Sequence, residues 1–422
     1  MKVAILTLGC KTNQYEGELI RESFLRKGDE IVPFDQKADL YIVNSCVVTA
    51  KAESEVRAAI NYARRLNRDA RVIVTSCFAK LYPDFESENV LLYTGSRTGI
   101  AEYYYKGKEL PANIEEEKIG SFSQRTRAIV KIEEGCNNFC SFCVVPYVRG
   151  SKIRSKSIES VIKEVEGLVK NGYKEIVIAG TEIVKYGEDI IPDPHLQQRK
   201  TLATLIRKLR KISGLERLRL SSIHPCGLTE ELIGEISPPV VPHIHLSLQS
   251  GDNEILKAMN RGYTVEYYLG LIDKLRTLDP DFSITTDIIA GFPGETETAF
   301  LNSVEIVKKA HFSKVHIFRF SKRANTSAFL MKETVPEKVK KERAEKLREI
   351  AEKERLKFKK RFIGKTVEVL VERFKKPFYE GFTPHYLKVR FTGKEIRQGE
   401  IVSVKIENAS PDFLFGHTLS PF

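Results

Sequence analysis

Short apolar runs recur along this chain at intervals close to the length of a strand–helix–strand unit, an alternation that few folds can satisfy. Val3 to Leu8, Leu40 to Val43 and Val72 to Val74 have the continuous apolar character of strands buried on both faces. Stretches such as Gly17 to Lys27 between them carry helical periodicity. Residues 1 to about 115 are therefore expected to form a doubly wound α/β domain. A cysteine follows each run within a few residues, at Cys10, Cys46 and Cys77, with spacings of 36 and 31 residues. Ligands of such sheets gather at the carboxyl ends of the strands, so three thiolates far apart in sequence converge if the strands are neighbours. Such a trio suits zinc with one open position, or a four-iron cluster with one iron left without a protein ligand. Spacing does not choose between them, and for any single cysteine a buried core position is the plainer reading.

The 422 residues exceed what one core usually serves, so two or three domains are expected. Seven cysteines are too sparse and too odd in number for a disulfide scaffold, which favours a reducing cytosol. The run ending in Gly9-Cys10 is too short for a lipoprotein signal, and no stretch approaches the roughly 20 apolar residues of a membrane span. A soluble, cytoplasmic protein is expected. A net charge of +12 favours a polyanionic partner such as nucleic acid.

From about residue 122 to 355, candidate strands at Ala128 to Ile132, Glu175 to Ala179, Leu218 to Leu220, Ile244 to Leu248, Ile284 to Ile289 and Val315 to Phe320 alternate with helical patterns. Six βα units suggest a parallel, partly closed barrel with its chemistry at the carboxyl ends of the strands. The loop after the first strand carries Cys136, Cys140 and Cys143 in the spacing CxxxCxxC. Zinc ribbons normally use CxxC pairs and the common ferredoxin runs supply four cysteines; three thiolates in one loop can bind a cubane cluster and leave one iron free, the plainer alternative being a structural zinc knuckle.

This loop resembles that of the radical S-adenosylmethionine superfamily, in which the free iron chelates the methionine part of the cofactor. The resemblance implies a partial (βα)6 barrel and cofactor contacts at Phe142 and Gln249 or Ser247, at the backbone near Gly180, and along Ile288 to Gly291. Leu8-Gly9-Cys10-Lys11-Thr12-Asn13-Gln14, Val145 to Gly150, Leu248 to Gly251 and Gly291 to Thr296 together narrow it to the methylthiotransferase family. The family implies a second four-iron cluster at Cys10, Cys46 and Cys77.

Lys11-Thr12-Asn13-Gln14 and Glu380-Gly381-Phe382-Thr383 with Tyr386 to Val389 resemble the branch acting on threonylcarbamoyladenosine at position 37 of tRNA, beside the anticodon. Ser155-Lys156-Ser157 and His224 depart from the family's pattern. His224 and Cys226 belong to no ligand-spaced cluster and read as packing or local-contact residues.

Glu337 to Arg361 reads as one long charged helix connecting to the last part of the chain. Residues 360 to 422 then change to short β-like runs, at Val367 to Val371, Leu387 to Phe391 and Ile401 to Ile406, which suggest a small β-barrel. It resembles the RNA-binding TRAM domain, with Tyr386, Lys388 and Arg390 as candidate RNA contacts. The resemblances imply a tRNA methylthiotransferase that adds a methylthio group to carbon 2 of the modified adenosine, supplied by an electron donor and a sulfur source. Its rivals are the same reaction on isopentenyladenosine, methylthiolation of a ribosomal-protein aspartate, and a non-catalytic, zinc-dependent RNA-binding protein.

Overall fold

The computed structural model describes residues 1–123, 125–190 and 201–419. Its first sheet comprises β1 (Lys2–Thr7), β2 (Glu30–Val32), β3 (Leu40–Ser45), β4 (Arg71–Ser76) and β5 (Val90–Tyr93) in the order β2-β1-β3-β4-β5. Every neighbouring pair is parallel. The three strands expected from the apolar runs are the central ones. The edges β2 and β5, three and four residues long, leave too brief an apolar signal to read. Alternate residues feed two cores. Val3, Leu40, Ile42 and Ile73 meet Ile20 and Phe24 of the Lys11–Leu25 helix, while Ala4, Tyr41, Val43 and Val72 meet Val56 and Ile60 of the Ala50–Leu66 helix. Helices thus cover both faces, and the strand order reverses between β1 and β3, the place where such sheets hold ligands.

The central part begins with β6 (Arg127–Lys131), followed by two-residue strands β7 (Glu133–Glu134) and β8 (Arg154–Ser155), which pair across the base of the cysteine loop. Then come β9 (Glu175–Ala179), β10 (Arg217–Leu220), β11 (Ser222–Ile223), β12 (His243–Leu246), β13 (Ser283–Ala290) and β14 (Lys314–Arg319). β10, β9 and β6 form one parallel sheet and β11 to β14 another. The third strand changes partner at Ser221, and a bridge from Leu218 to Val240 joins the halves. Six strand positions result, curved into a partial barrel. Val161, Leu205 and Leu271 of the surrounding helices seal its outside. Tyr15 and Leu19 enter this same core from the Lys11–Leu25 helix, so one helix serves both the first sheet and the barrel.

The Glu337–Lys360 helix is solvated on one face only. Ala344, Leu347 and Ala351 lie against Ile288, Val304 and Val307 on the outside of the barrel. Beyond it, β15 (Thr366–Lys375), β16 (Phe378–Phe382), β17 (Lys388–Thr392), β18 (Ile401–Ala409) and β19 (Leu414–Thr418) close into a barrel in the order β15-β16-β17-β19-β18. It abuts the amino ends of the central strands: Arg217 donates to the Phe382 carbonyl at 3.1 Å, and Arg127 pairs with Glu372 at 2.6 Å. Among the described residues no helix is long and apolar enough to cross a membrane.

Candidate active site

Cys46 and Cys77 are the residues after β3 and β4, whose last residues Ser45 and Ser76 stand in register. Cys10 caps the helix that follows β1. Gly9, at φ +104°, lets the turn bearing Cys10 press against Cys46, because a Cβ there would lie 2.9 Å from the Cys46 Sγ. The Asn13 amide fastens the two turns, donating to the carbonyls of Leu8 at 2.8 Å and Ser45 at 2.7 Å. Parallel pairing therefore brings the three cysteines to one crevice. Burial pushes the Cys46 thiol up and the Cys77 thiol up to about 11, and the nearby Cys10 adds to both shifts.

The second loop is held from behind. Gly135, at φ +115°, passes so close to the Lys152 carbonyl that a Cβ would approach its oxygen to 2.2 Å. The Cys136 N–H donates to the Gly150 carbonyl at 3.0 Å. Buried Arg261 donates to the Cys140 Sγ at 3.1 Å and to the Ser247 carbonyl at 2.8 Å. Burial pushes the thiols of Cys136 and Cys143 up to about 12. Metal ligation must displace those protons, a cost that bound iron has to offset. Beside them lie two carboxyls that sequence reasoning missed, Glu133 fully buried and Glu182 half-buried. Burial pushes Glu133 up to about 8 and Glu182 up to about 7. Glu133 Oε1 accepts the Glu182 N–H, while Glu133 Oε2 has no hydrogen-bond partner among the described residues. A cationic group bound here would satisfy it.

The donor set thus fits a cubane and a ligand bearing an ammonium group. Among the described residues no three His, Cys, Asp or Glu side chains are drawn in around one metal ion. A cubane asks for one thiolate per iron instead.

Arg149, six residues past Cys143, joins the two cysteine sites. It is buried and binds Glu16, Glu134 at 3.2 Å and Asn13 Oδ1 at 2.5 Å. Lys131 adds contacts to Glu117 at 2.5 Å and to Glu16 and Glu134 at 3.4 Å each. Ser76, the neighbour of Cys77, donates to Glu16 at 2.6 Å. Burial opposes ionisation of Glu16, yet Arg149, Lys131 and Arg97 hold it well below the usual carboxylate range. No local pattern advertised this network, because its members come from five separate helices and strands and from the loops that carry Arg97 and Glu117.

Of the residues expected to touch the cofactor, Phe142 and Gln249 line one cavity of about 170 Å3 with Cys143 and Asp287. Val48 and Thr49, just after Cys46, close its other side, so it lies between the two cysteine sets. The backbone of Gln249 is zipped to β13, donating to Asp287 and accepting from Ile289. Ser247 sits beside Arg261, and the Gly180 carbonyl accepts from Thr12 at 3.2 Å. The Ile288 side chain points outward into the helix-facing core. Gly291 is pressed against Lys340 on that same outer side. His224 accepts from the Cys226 N–H through Nδ1 at 3.3 Å, a local cap, and the Cys226 thiol donates to the Gly262 carbonyl.

Tyr386, in the turn between β16 and β17, faces the central barrel, with the guanidinium of Arg219 at 4.7 Å and that of Arg127 at 5.2 Å from its ring. Arg390 binds Glu380 at 2.6 Å and covers Phe413. Lys388 is the exposed member of the three.

The model of the Radical SAM superfamily matches residues 130–307, and that of Uncharacterized protein family UPF0004 matches residues 2–91. The threonylcarbamoyladenosine tRNA methylthiotransferase MtaB of Thermotoga maritima is 41% identical over 425 residues, covering 97% of this chain and 95% of that protein. The protein of the same name from Bacillus subtilis is 37% identical, covering 96% and 94%. Among solved structures, the radical S-adenosylmethionine methyltransferase TsrM of Kitasatospora setae superposes with a TM-score of 0.53 at 16% identity over 75% of this chain and 74% of that one, a likeness of fold. Two converging cysteine sets on a doubly wound sheet and a partial barrel, with such identity along nearly the whole length, establish that the chain belongs to the radical S-adenosylmethionine methylthiotransferase family.

Proposed function

We propose that this protein adds a methylthio group to carbon 2 of threonylcarbamoyladenosine in tRNA, using S-adenosylmethionine, a four-iron cluster on Cys136, Cys140 and Cys143, and a second cluster on Cys10, Cys46 and Cys77. The observation that carries the reading is the cavity bounded on one side by Cys143 and Phe142 and on the other by the loop after Cys46. Together the bound groups supply one-electron chemistry able to take hydrogen from an unactivated ring carbon, and a sulfur to put in its place. The protein's share is distance, orientation and the exclusion of water. Phe142 and Gln249 wall the cavity, Arg261 supports the Cys140 sulfur, and Arg149 holds the two cysteine sites in fixed relation. Relatives named for threonylcarbamoyladenosine favour that adenosine over the isopentenyl form or a protein aspartate.

The domains we assign are residues 1–115 for the auxiliary cluster, 122–355 for the radical core and 360–422 for a TRAM-like RNA-binding barrel. The compartment is the cytoplasm, where tRNA and a reducing environment coincide. An electron donor and a sulfur source complete the reaction.

Anaerobic incubation of reconstituted protein with reductant, sulfide, S-adenosylmethionine and tRNA carrying threonylcarbamoyladenosine is expected to yield its 2-methylthio derivative, read by nucleoside mass spectrometry. Cleavage of the cofactor without that product would refute the substrate. Replacing Cys10, Cys46 and Cys77 together by Ala is expected to halve iron and sulfide while sparing cofactor cleavage. Unchanged iron content, or zinc in place of iron, would refute the second cluster.

A further inference from the structure

We infer that the cavity between the central barrel, the Glu337–Lys360 helix and the last barrel is an anion subsite, in which Lys11 takes the carboxylate of the threonylcarbamoyl group. The inference rests on the proposed substrate and names what selects it. The cavity measures about 540 Å3 and shares Asp287 and Phe318 with the smaller one between the cysteine sets. The two cavities are thus neighbours across Asp287 and Phe318, and a base held at their border would direct its N6 substituent toward the larger one. That substituent ends in a carboxylate, and a carboxylate withdrawn from water needs a cation beside it.

Lys11 meets the requirement. It follows Cys10 directly, at the first turn of the helix that the cysteine caps. It lines this cavity and also an adjoining one of about 600 Å3 that opens between β6 and the last barrel. Other cations near it are already engaged: Arg127 pairs with Glu372, and Arg219 pairs with Glu175 at 2.7 Å. Lys11 makes no ion pair and no hydrogen bond among the described residues. Lys314, on the rim, is likewise without an ion pair among them. The acidic groups in the wall have partners of their own: Asp287 is hydrogen-bonded to His245 Nε2 at 3.1 Å and Asp412 lies 3.6 Å from Arg355. What remains is a pocket with spare positive charge next to the reaction space. A neutral alkyl substituent would leave the ammonium of Lys11 buried and unmatched, so the same residue that accepts the acid disfavours its uncharged counterparts.

The test uses the reconstituted full-length enzyme and two anticodon stem-loop RNAs, one carrying threonylcarbamoyladenosine and the other its carboxyl methyl ester. Wild type is expected to process the ester with kcat/KM lowered roughly 100-fold, the usual loss when one partner of a buried charge pair is removed. Lys11→Gln should lose a similar factor on the acid and under about threefold on the ester, so that the two changes are not additive. Lys11→Arg should recover part of the loss on the acid. Iron and sulfide at the wild-type level verify that Cys10 still holds its share of the site in both variants. Equal use of the acid and the ester by wild type would overturn the carboxylate site alone. Equal losses on both RNAs in Lys11→Gln would do the same, because they would mark a general structural role. Wild type that modifies neither RNA while still cleaving S-adenosylmethionine would overturn the substrate reading and the subsite with it.

Discussion

Replacing Cys140 by Ala is expected to abolish formation of 5′-deoxyadenosine from S-adenosylmethionine. Cys140 is the middle thiol of the loop and the one that accepts from the buried Arg261. Without it the loop offers two thiols, too few for a stable cubane that also leaves one iron free, and Arg261 faces an apolar methyl group. Chromatographic measurement of deoxyadenosine under strong reductant checks the expectation, and iron content should fall with it. Cleavage at the wild-type rate would remove the three-cysteine loop from the chemistry altogether.

The second large effect is on stability and on the coupling of the two cysteine sites. Arg149→Met deprives Glu16 and Glu134 of a buried cation, and breaking such a pair from one side costs about 3–5 kcal/mol. Lys131 remains to share among three carboxylates, so the thermal midpoint should fall while the fold survives. The pH dependence has a definite sign. Burial works against ionisation of Glu134, but Lys131 and Arg149 hold its carboxyl down to about 2. A carboxyl of the unfolded chain titrates near about 4.3. The stabilisation is therefore present in full above that value and is lost as pH falls from about 4 toward 2. The gap between wild type and variant should be widest near neutrality and should narrow across that acid window. A gap independent of pH would mean that Arg149 acts through packing and not through charge. In the variant, cofactor cleavage should exceed methylthio product by a wider margin than in wild type, because the first sheet is no longer pinned to the loop after Cys143.

Much of this architecture was legible in the chain itself. The central strands of both sheets announced themselves as apolar runs, since a strand buried on both faces tolerates little else. The cysteines were legible for a related reason: a ligand at the carboxyl end of a strand follows its apolar run at a nearly fixed offset, as Cys46 and Cys77 do. β16 and β19 of the last barrel escaped notice because Phe378–Phe382 and Leu414–Thr418 are mixed in polarity and each contains a glycine. Tyr386, Lys388 and Arg390 looked alike as RNA contacts, yet Tyr386 lies between Arg127 and Arg219 and Arg390 is bound to Glu380. Tyr386 lies in the turn before β17, while Lys388 and Arg390 share one face of that strand, so turn geometry and intramolecular charge pairing, neither visible in composition, separate the three.

Which residues can bind clusters, and which strands carry them, follows from thiol spacing and apolar periodicity, both local properties of the chain. That Arg149 and Glu16, 133 positions apart, bind each other, and that Lys11 makes no ion pair or hydrogen bond among the described residues, comes from the tertiary arrangement alone. Whether a charge is matched depends on what folding brings beside it, and in a low-dielectric interior that matching separates a structural ion pair from a cation free to receive a substrate.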